Sequence, residues 1–181
     1  MFNIATLSNR IFRPSGSNLI RGGIIPYTFI SKNDIQIPIF CFGIDSYSAD
    51  LTDFGGSRNS GDRDIIDTAI REFNEETLGV FGEIKIENII GSKIIYDDHN
   101  AIILVYLDLN IEDIEIINQN FISLSTNHPN IEISSLVWLT NDQINIGINL
   151  NNRIIKGFNP FVFYYPIFKL LDQAKFLFDK I

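Results

Sequence analysis

Asp64-Ile65-Ile66-Asp67-Thr68-Ala69-Ile70-Arg71-Glu72-Phe73-Asn74-Glu75-Glu76-Thr77-Leu78 is the stretch on which the reading of the fold turns. Ile66, Ala69, Ile70 and Phe73 recur at helical spacing and predict one buried stripe over about 64–78. Asp62 or Asp64 can cap the start, and Gly79 stands where a helix stop belongs. Phe73 points into the core. Glu72, Glu75 and Glu76 then share the opposite face, three and four residues apart. Like charges at that spacing cost a helix a few tenths of a kcal/mol per pair, on the order of 0.2–0.5. A hard divalent cation removes that cost, and Mg²⁺ characteristically shares its shell between a few carboxylates and substrate phosphates. Arg71, with Asp67 four residues before it and Glu75 four after, can hold the carboxylates in place. Taken alone, three glutamates on a helix are more often a solvated face than a metal site.

Working outward, the helix is preceded by a Gly-rich loop, residues 53–61, in which Gly55 and Gly56 let backbone approach a ligand closely. Before it, residues 24–31 and 35–44 are rich in β-branched and aromatic side chains and predict two strands joined at Lys32-Asn33-Asp34. After it, residues 83–95 and 100–109 read as strands, 111–120 as a short helix and 136–139 as a short strand. Another short helix begins near 141, and a long amphipathic helix closes the chain from about 163 to 180. Strands, one helix, more strands and terminal helices predict an α+β fold, an α/β/α sandwich around a mixed sheet, in one domain over 1–181.

The whole acidic block and its surroundings resemble the Nudix box. That pattern runs Gly, five residues, Glu, seven residues, Arg-Glu, an apolar residue, any residue, Glu-Glu, any residue, Gly, aliphatic. Here Gly56 and Asp62 stand at the first spacing, Arg71 to Glu76 match the central block without a gap, and Gly79-Val80 match the end. Phe54-Gly55-Gly56 is similar to the family's usual entry, and Glu132 with Trp138 resembles its late Glu-to-Trp segment. Asp62 is one methylene shorter than the family's glutamate, and one extra residue falls at each end of the helix. The resemblance spans roughly residues 20–145 and implies a hydrolase of nucleoside diphosphates linked to another moiety. Glu72, Glu75 and Glu76 would then be ligands of Mg²⁺ (or Mn²⁺), with Arg71 orienting them. Glu132, or alternatively Glu72, would be the base for the attacking water. Arg21, beside Gly22-Gly23, is a candidate to reach a substrate phosphate.

Composition bounds the alternatives. The 181 residues carry a net charge of −8 and 45% hydrophobic residues, with no apolar run long enough to span a bilayer. Arg10, Arg13, Arg21, Arg58 and Arg63 are scattered rather than clustered, so a long nucleic-acid footprint is not expected, while the charge leaves a small nucleotide open. Capped RNA, cleaved by an mRNA-decapping enzyme of the same family, is the alternative substrate, since residues 69–77 are similar to the box helix of viral decapping enzymes. A nucleotide sensor without catalysis is the alternative of a different class. Homodimers are common in that family, so a second copy is an admissible partner. A single cysteine, Cys41, and no secretory leader suggest a reducing, cytoplasmic setting. Asp97-Asp98-His99 is expected to be an exposed turn, His128 surface, Trp138 core, and the aromatic cluster 158–165 core packing of the last helix.

Overall fold

The computed structural model describes residues 2–8, 12–14, 18–152 and 162–178, with the side chains of 150–152 and 176–178 left aside. Eight strands form one sheet: β1 (Asn3–Thr6), β2 (Arg21–Lys32), β3 (Ile35–Asp45), β4 (Leu51–Thr52), β5 (Phe54–Ser57), β6 (Lys93–Tyr96), β7 (Asn100–Tyr106) and β8 (Ile133–Thr140). The path runs β1-β6-β7-β2-β3-β4, with β5 added to β2 and β8 to β3. Only β2 and β7 pair in parallel; every other pairing between strands is antiparallel, so the sheet is mixed.

The central strands read as unbroken apolar runs because both faces are covered. Along β7, Ala101, Ile103 and Val105 pack with α1 (Ile65–Glu76), α2 (Ile86–Ile89) and α3 (Ile111–Ser125), through Ile66, Phe73, Ile89 and Phe121. Ile102 and Leu104 face the other way, toward α4 (Asn141–Asn152) and α5 (Tyr165–Phe178), through Ile144, Ile148, Ile167 and Leu171. This two-residue alternation makes the expected α/β/α sandwich, with a core on each side of the sheet.

The structure also moves several expected elements. Residues 83–95 are not one strand: α2 takes 86–89, and Gly91, at φ 89°, turns the chain into β6. The glycine loop is largely strand, since Gly55 and Gly56 pair with Gly23 and Gly22. β1 has no counterpart among the expected elements; its four residues are too few to show a period, and pairing with β6 defines it. The β2–β3 turn lies where expected, with Asn33 and Asp34 at φ 53° and 63°, the paired left-handed geometry of a tight hairpin. Arg10 and residues 158–161 of the aromatic cluster lie outside the described residues.

Candidate active site

The acidic helix is capped as its sequence demands. Asp64 stays extended and accepts from the N–H groups of Ile66 at 2.9 Å and Asp67 at 3.2 Å. At the other end the extra residue between Glu76 and Gly79 is absorbed by two consecutive left-handed residues, Leu78 at φ 53° and Gly79 at φ 69°. The helical register of Arg71 to Glu76 is therefore undisturbed. Phe73 is fully buried, edge-on to Phe54 at 5.5 Å, which fixes the rotation of α1 about its axis.

That rotation lays the helix against the glycine strand. A side chain at Gly56 would put its Cβ 2.5 Å from the Glu72 carboxylate, so glycine is what lets Glu72 lie against β5. Glu76 reaches the same strand and accepts from the Gly55 N–H at 2.8 Å. Arg71 stands beside them as a hub. Its guanidinium meets Glu72 at 2.8 Å, Glu75 at 3.1 Å, Asp62 at 3.2 Å and the Ser57 carbonyl at 3.2 Å. Asp67, expected to share Arg71, instead pairs with Arg63 at 2.7 Å. The vacancy is filled by Asp62, whose shorter side chain also accepts from the Thr68 hydroxyl at 2.9 Å and the Asn59 N–H at 2.9 Å.

Electrostatics follow from this geometry. Burial works against the Asp62 carboxylate, but the hydrogen bonds from Arg71, Asn59 and Thr68 outweigh it and hold its pKa below the ordinary value. Glu72 is pushed up by burial, only partly offset by Arg71. Glu76 is pushed up to about 9, first by burial and then by the charges of Asp53, Glu72 and Glu132.

Glu72, Glu75, Glu76 and Glu132 line one small cavity of about 120 Å³, together with His128 and Asn130. The loop before β8 thus brings Glu132, 56 residues beyond Glu76 in the chain, to the carboxylate face of α1. His128 is exposed, as expected, yet it belongs to the rim of this cavity; only its position four residues before Glu132 hinted at that. Asp97 accepts from the N–H groups of His99 and Asn100 in the turn between β6 and β7. Trp138 is half-buried, packs on the α1-side core and donates to Asn118 at 3.3 Å.

Arg21 meets an internal carboxylate where the sequence suggested a phosphate. Its guanidinium binds Asp53 at 2.6 and 3.0 Å and the Gly55 carbonyl at 3.0 Å, and its side chain is 11% exposed. The Asp53 partner is fully buried and occupies the space where a side chain on Gly23 would lie. Tyr164 stands over the same guanidinium, 5.7 Å from ring centre to Cζ.

The donor set suits a hard divalent cation: carboxylate oxygens only, crowded enough to raise two of their pKa values. In the present side-chain arrangement Glu72 and Glu75 turn to Arg71 and Glu76 to Gly55. Among the described residues, no three acidic, His or Cys side chains already converge as metal ligands. Among the same residues, no helix is long and apolar enough to cross a membrane.

No protein-family model and no curated protein matches the chain. Among solved structures it is similar to the Ap4A hydrolase of C. elegans, at 16% identity and TM-score 0.44, over 91% of this chain and 100% of that one. It is similar to a mutT/nudix family protein from Listeria innocua at 12% identity and TM-score 0.46, over 92% and 99% of the two chains. A Nudix hydrolase from M. Smegmatis is 12% identical with TM-score 0.41, over 71% and 74%.

Proposed function

We propose that this chain is a Nudix-type hydrolase that uses Mg²⁺ or Mn²⁺ to cut the phosphoanhydride bond of a nucleoside diphosphate linked to a further moiety. The observation that carries this reading is the single cavity on which Glu72, Glu75, Glu76 and Glu132 converge, with Glu76 pushed up to about 9. Carboxylates brought together on one partly buried cavity, where burial and mutual repulsion penalise their charge, are matched by a cation and the phosphates bound to it.

In this reading Glu72, Glu75 and Glu76 hold the ion. When bound, the ion polarises the phosphate oxygens and lowers the pKa of water. The chain supplies the rest. Arg71 orients Glu72 and Glu75 and stays charged, its pKa raised first by the Asp62 hydrogen bond. Gly55 and Gly56 have no side chains, and that lets Glu72 and Glu76 lie directly on the β5 backbone, with their carboxylates held at the cavity. Arg21 fixes that strand through the Gly55 carbonyl. Glu132 is assigned as the base, because Glu72 is held by Arg71 and packed against Gly56, whereas Glu132 has no ion pair among the described residues.

The test is turnover of a panel with Mg²⁺ or Mn²⁺: nucleoside triphosphates, ADP-ribose, nucleotide sugars, dinucleoside polyphosphates and a capped RNA. Glu75→Gln runs beside it. Metal-dependent hydrolysis that falls by about 100-fold or more in the variant, the scale of a lost electrostatic contact to the transition state, is the expected result. Nucleotide binding without turnover on any member would overturn catalysis and leave a sensor. A strong preference for capped RNA would move the substrate class to decapping.

A further inference from the structure

At the N-terminal end of α1 a second cavity, of about 290 Å³, opens between the helix start and the segment before β2. Arg13, Arg58 and Arg63 line it, with Asn18 beside them and Ile65 below. Three arginines in one cleft stand out in a chain of net charge −8.

Their charges are not equally spoken for. Arg63 is satisfied by Asp67, with contacts of 2.7 and 2.8 Å. Among the described residues, the Arg58 guanidinium donates to the carbonyls of Asp62 at 3.1 Å and Arg63 at 2.9 Å, which position it without neutralising it. Arg13 has no hydrogen bond or ion pair among the described residues. The one carboxylate in the lining, Asp64, is committed to capping α1 and to the Phe12 N–H at 3.0 Å. Because Asp64 occupies the helix start, an incoming anion would meet side chains rather than free helix N–H groups. The cleft is anchored as well: Phe12 packs edge-on to Tyr96 at 5.2 Å, and Leu19 and Ile65 are buried.

The cleft is also in line with the carboxylates. Ile65 and Glu72 are seven residues apart, which returns the helix to nearly the same face, about 20° short of full register. At about 1.5 Å per residue the two points are roughly 10 Å apart along the axis. Both lie against the glycines of β2 and β5: Ile65 beside Gly22, Glu72 beside Gly56, and Gly22 pairs with Gly56. The seam itself is closed by these contacts, and the exposed route runs along the end of β5: Gly56 lies against Glu72, Ser57 is exposed, and Arg58, two residues beyond Gly56, lines the cleft.

We infer that the Arg13–Arg58–Arg63 cleft is a second anion site that holds phosphate groups of the substrate beyond the cleaved bond. It rests on the phosphoanhydride reading above and narrows it to substrates with a long phosphate chain. Guanidinium groups are the side chains best shaped to meet phosphate oxygens in pairs, and the cavity lies near the small end of ligand sites, which run from about 300 Å³ upward.

The first arm is calorimetric titration with tripolyphosphate in EDTA at low salt. Without metal, the glutamate cavity repels this probe, so binding reports the arginine cleft. Saturable binding, weakened about tenfold or more by Arg13→Gln with Arg58→Gln, is expected. No saturable binding to wild type, or equal binding to the double variant, overturns the site. Inorganic phosphate binding as tightly as tripolyphosphate overturns the long-chain assignment and leaves a single-anion site. Arg13 is exposed and Arg13→Gln removes no hydrogen bond or ion pair among the described residues, so a loss of binding in this variant at unchanged Tm reports the site rather than misfolding.

The second arm compares dinucleoside substrates bridged by two and by four phosphates. The double variant is expected to raise KM about tenfold for the four-phosphate bridge and to leave the two-phosphate bridge unchanged. An equal change in both overturns a shared path from the carboxylates to the cleft. Absence of all turnover would defeat the hydrolase reading, while the calorimetry still decides whether the arginines bind polyphosphate.

Discussion

Two arginines grip strand β5. Arg71 comes from α1 and takes the Ser57 carbonyl; Arg21 comes from β2 and takes the Gly55 carbonyl. Because β5 pairs only with β2, its other edge needs such partners. Their surroundings differ sharply. Arg71 is partly exposed and shared among three carboxylates, two of them in the candidate metal set. Arg21 is nearly buried and bound to one fully buried carboxylate. If the proposed cation binds, Arg71 would trade partners with it. Arg21 is placed to keep the glycine strand still while that happens.

Breaking the comparison on the Arg21 side is expected to have the largest effect. Arg21→Ala strands the fully buried Asp53 carboxylate and should cost about 3–5 kcal/mol, read as a lower urea midpoint. Arg21→Met combined with Asp53→Leu should recover much of that loss, because no lone charge remains. A single variant as stable as wild type would mean the pair is not holding the strand.

Next in size is the glycine strand itself. Gly56→Ala drives a methyl into the Glu72 carboxylate and should cost about 1–3 kcal/mol as overpacking. It should also weaken Mn²⁺ binding, followed by electron paramagnetic resonance, since Glu72 must turn away. Arg71→Ala is expected to cost less, about 1 kcal/mol, because its ion pairs are partly solvated. Its stability loss should shrink further when Mg²⁺ is added, and a loss indifferent to Mg²⁺ would argue against the exchange of partners.

A pH dependence tests the cavity carboxylates themselves. The folded Glu76 pKa of about 9 lies above its ordinary 4.5, so the folded, metal-free protein holds the extra proton between those values. Its contribution to stability is complete below about pH 4.5 and is lost as pH rises through about 9. In EDTA, Glu76→Gln should therefore match wild type at pH 5 and exceed it in Tm by a widening margin toward pH 9. The margin should close when Mg²⁺ is present, because the cation stabilises the ionised group.

Much of this molecule was legible in the chain. Helix α1, its cap, the buried face of Phe73 and the shared face of the three glutamates follow from a 3.6-residue period and one good N-cap. The β2–β3 hairpin followed from apolar runs around an Asn-Asp turn. What escaped was decided by contact rather than pattern. β1 and β5 are four residues each and exist because an edge was open to them. α2 interrupts a stretch whose isoleucines suit either structure. Asp62, rather than Asp67, is the partner of Arg71, and Asp67 is taken by Arg63 from the preceding loop.

The sequence by itself determined which residues could do chemistry, because periodicity and capping are local and a helix face is set by spacing alone. Only the tertiary structure decided their company: Glu132 and His128 at the cavity rim, Asp53 beneath Arg21, and three scattered arginines in one cleft. Those meetings join segments tens of residues apart, and they are fixed by how two cores pack on a twisted sheet.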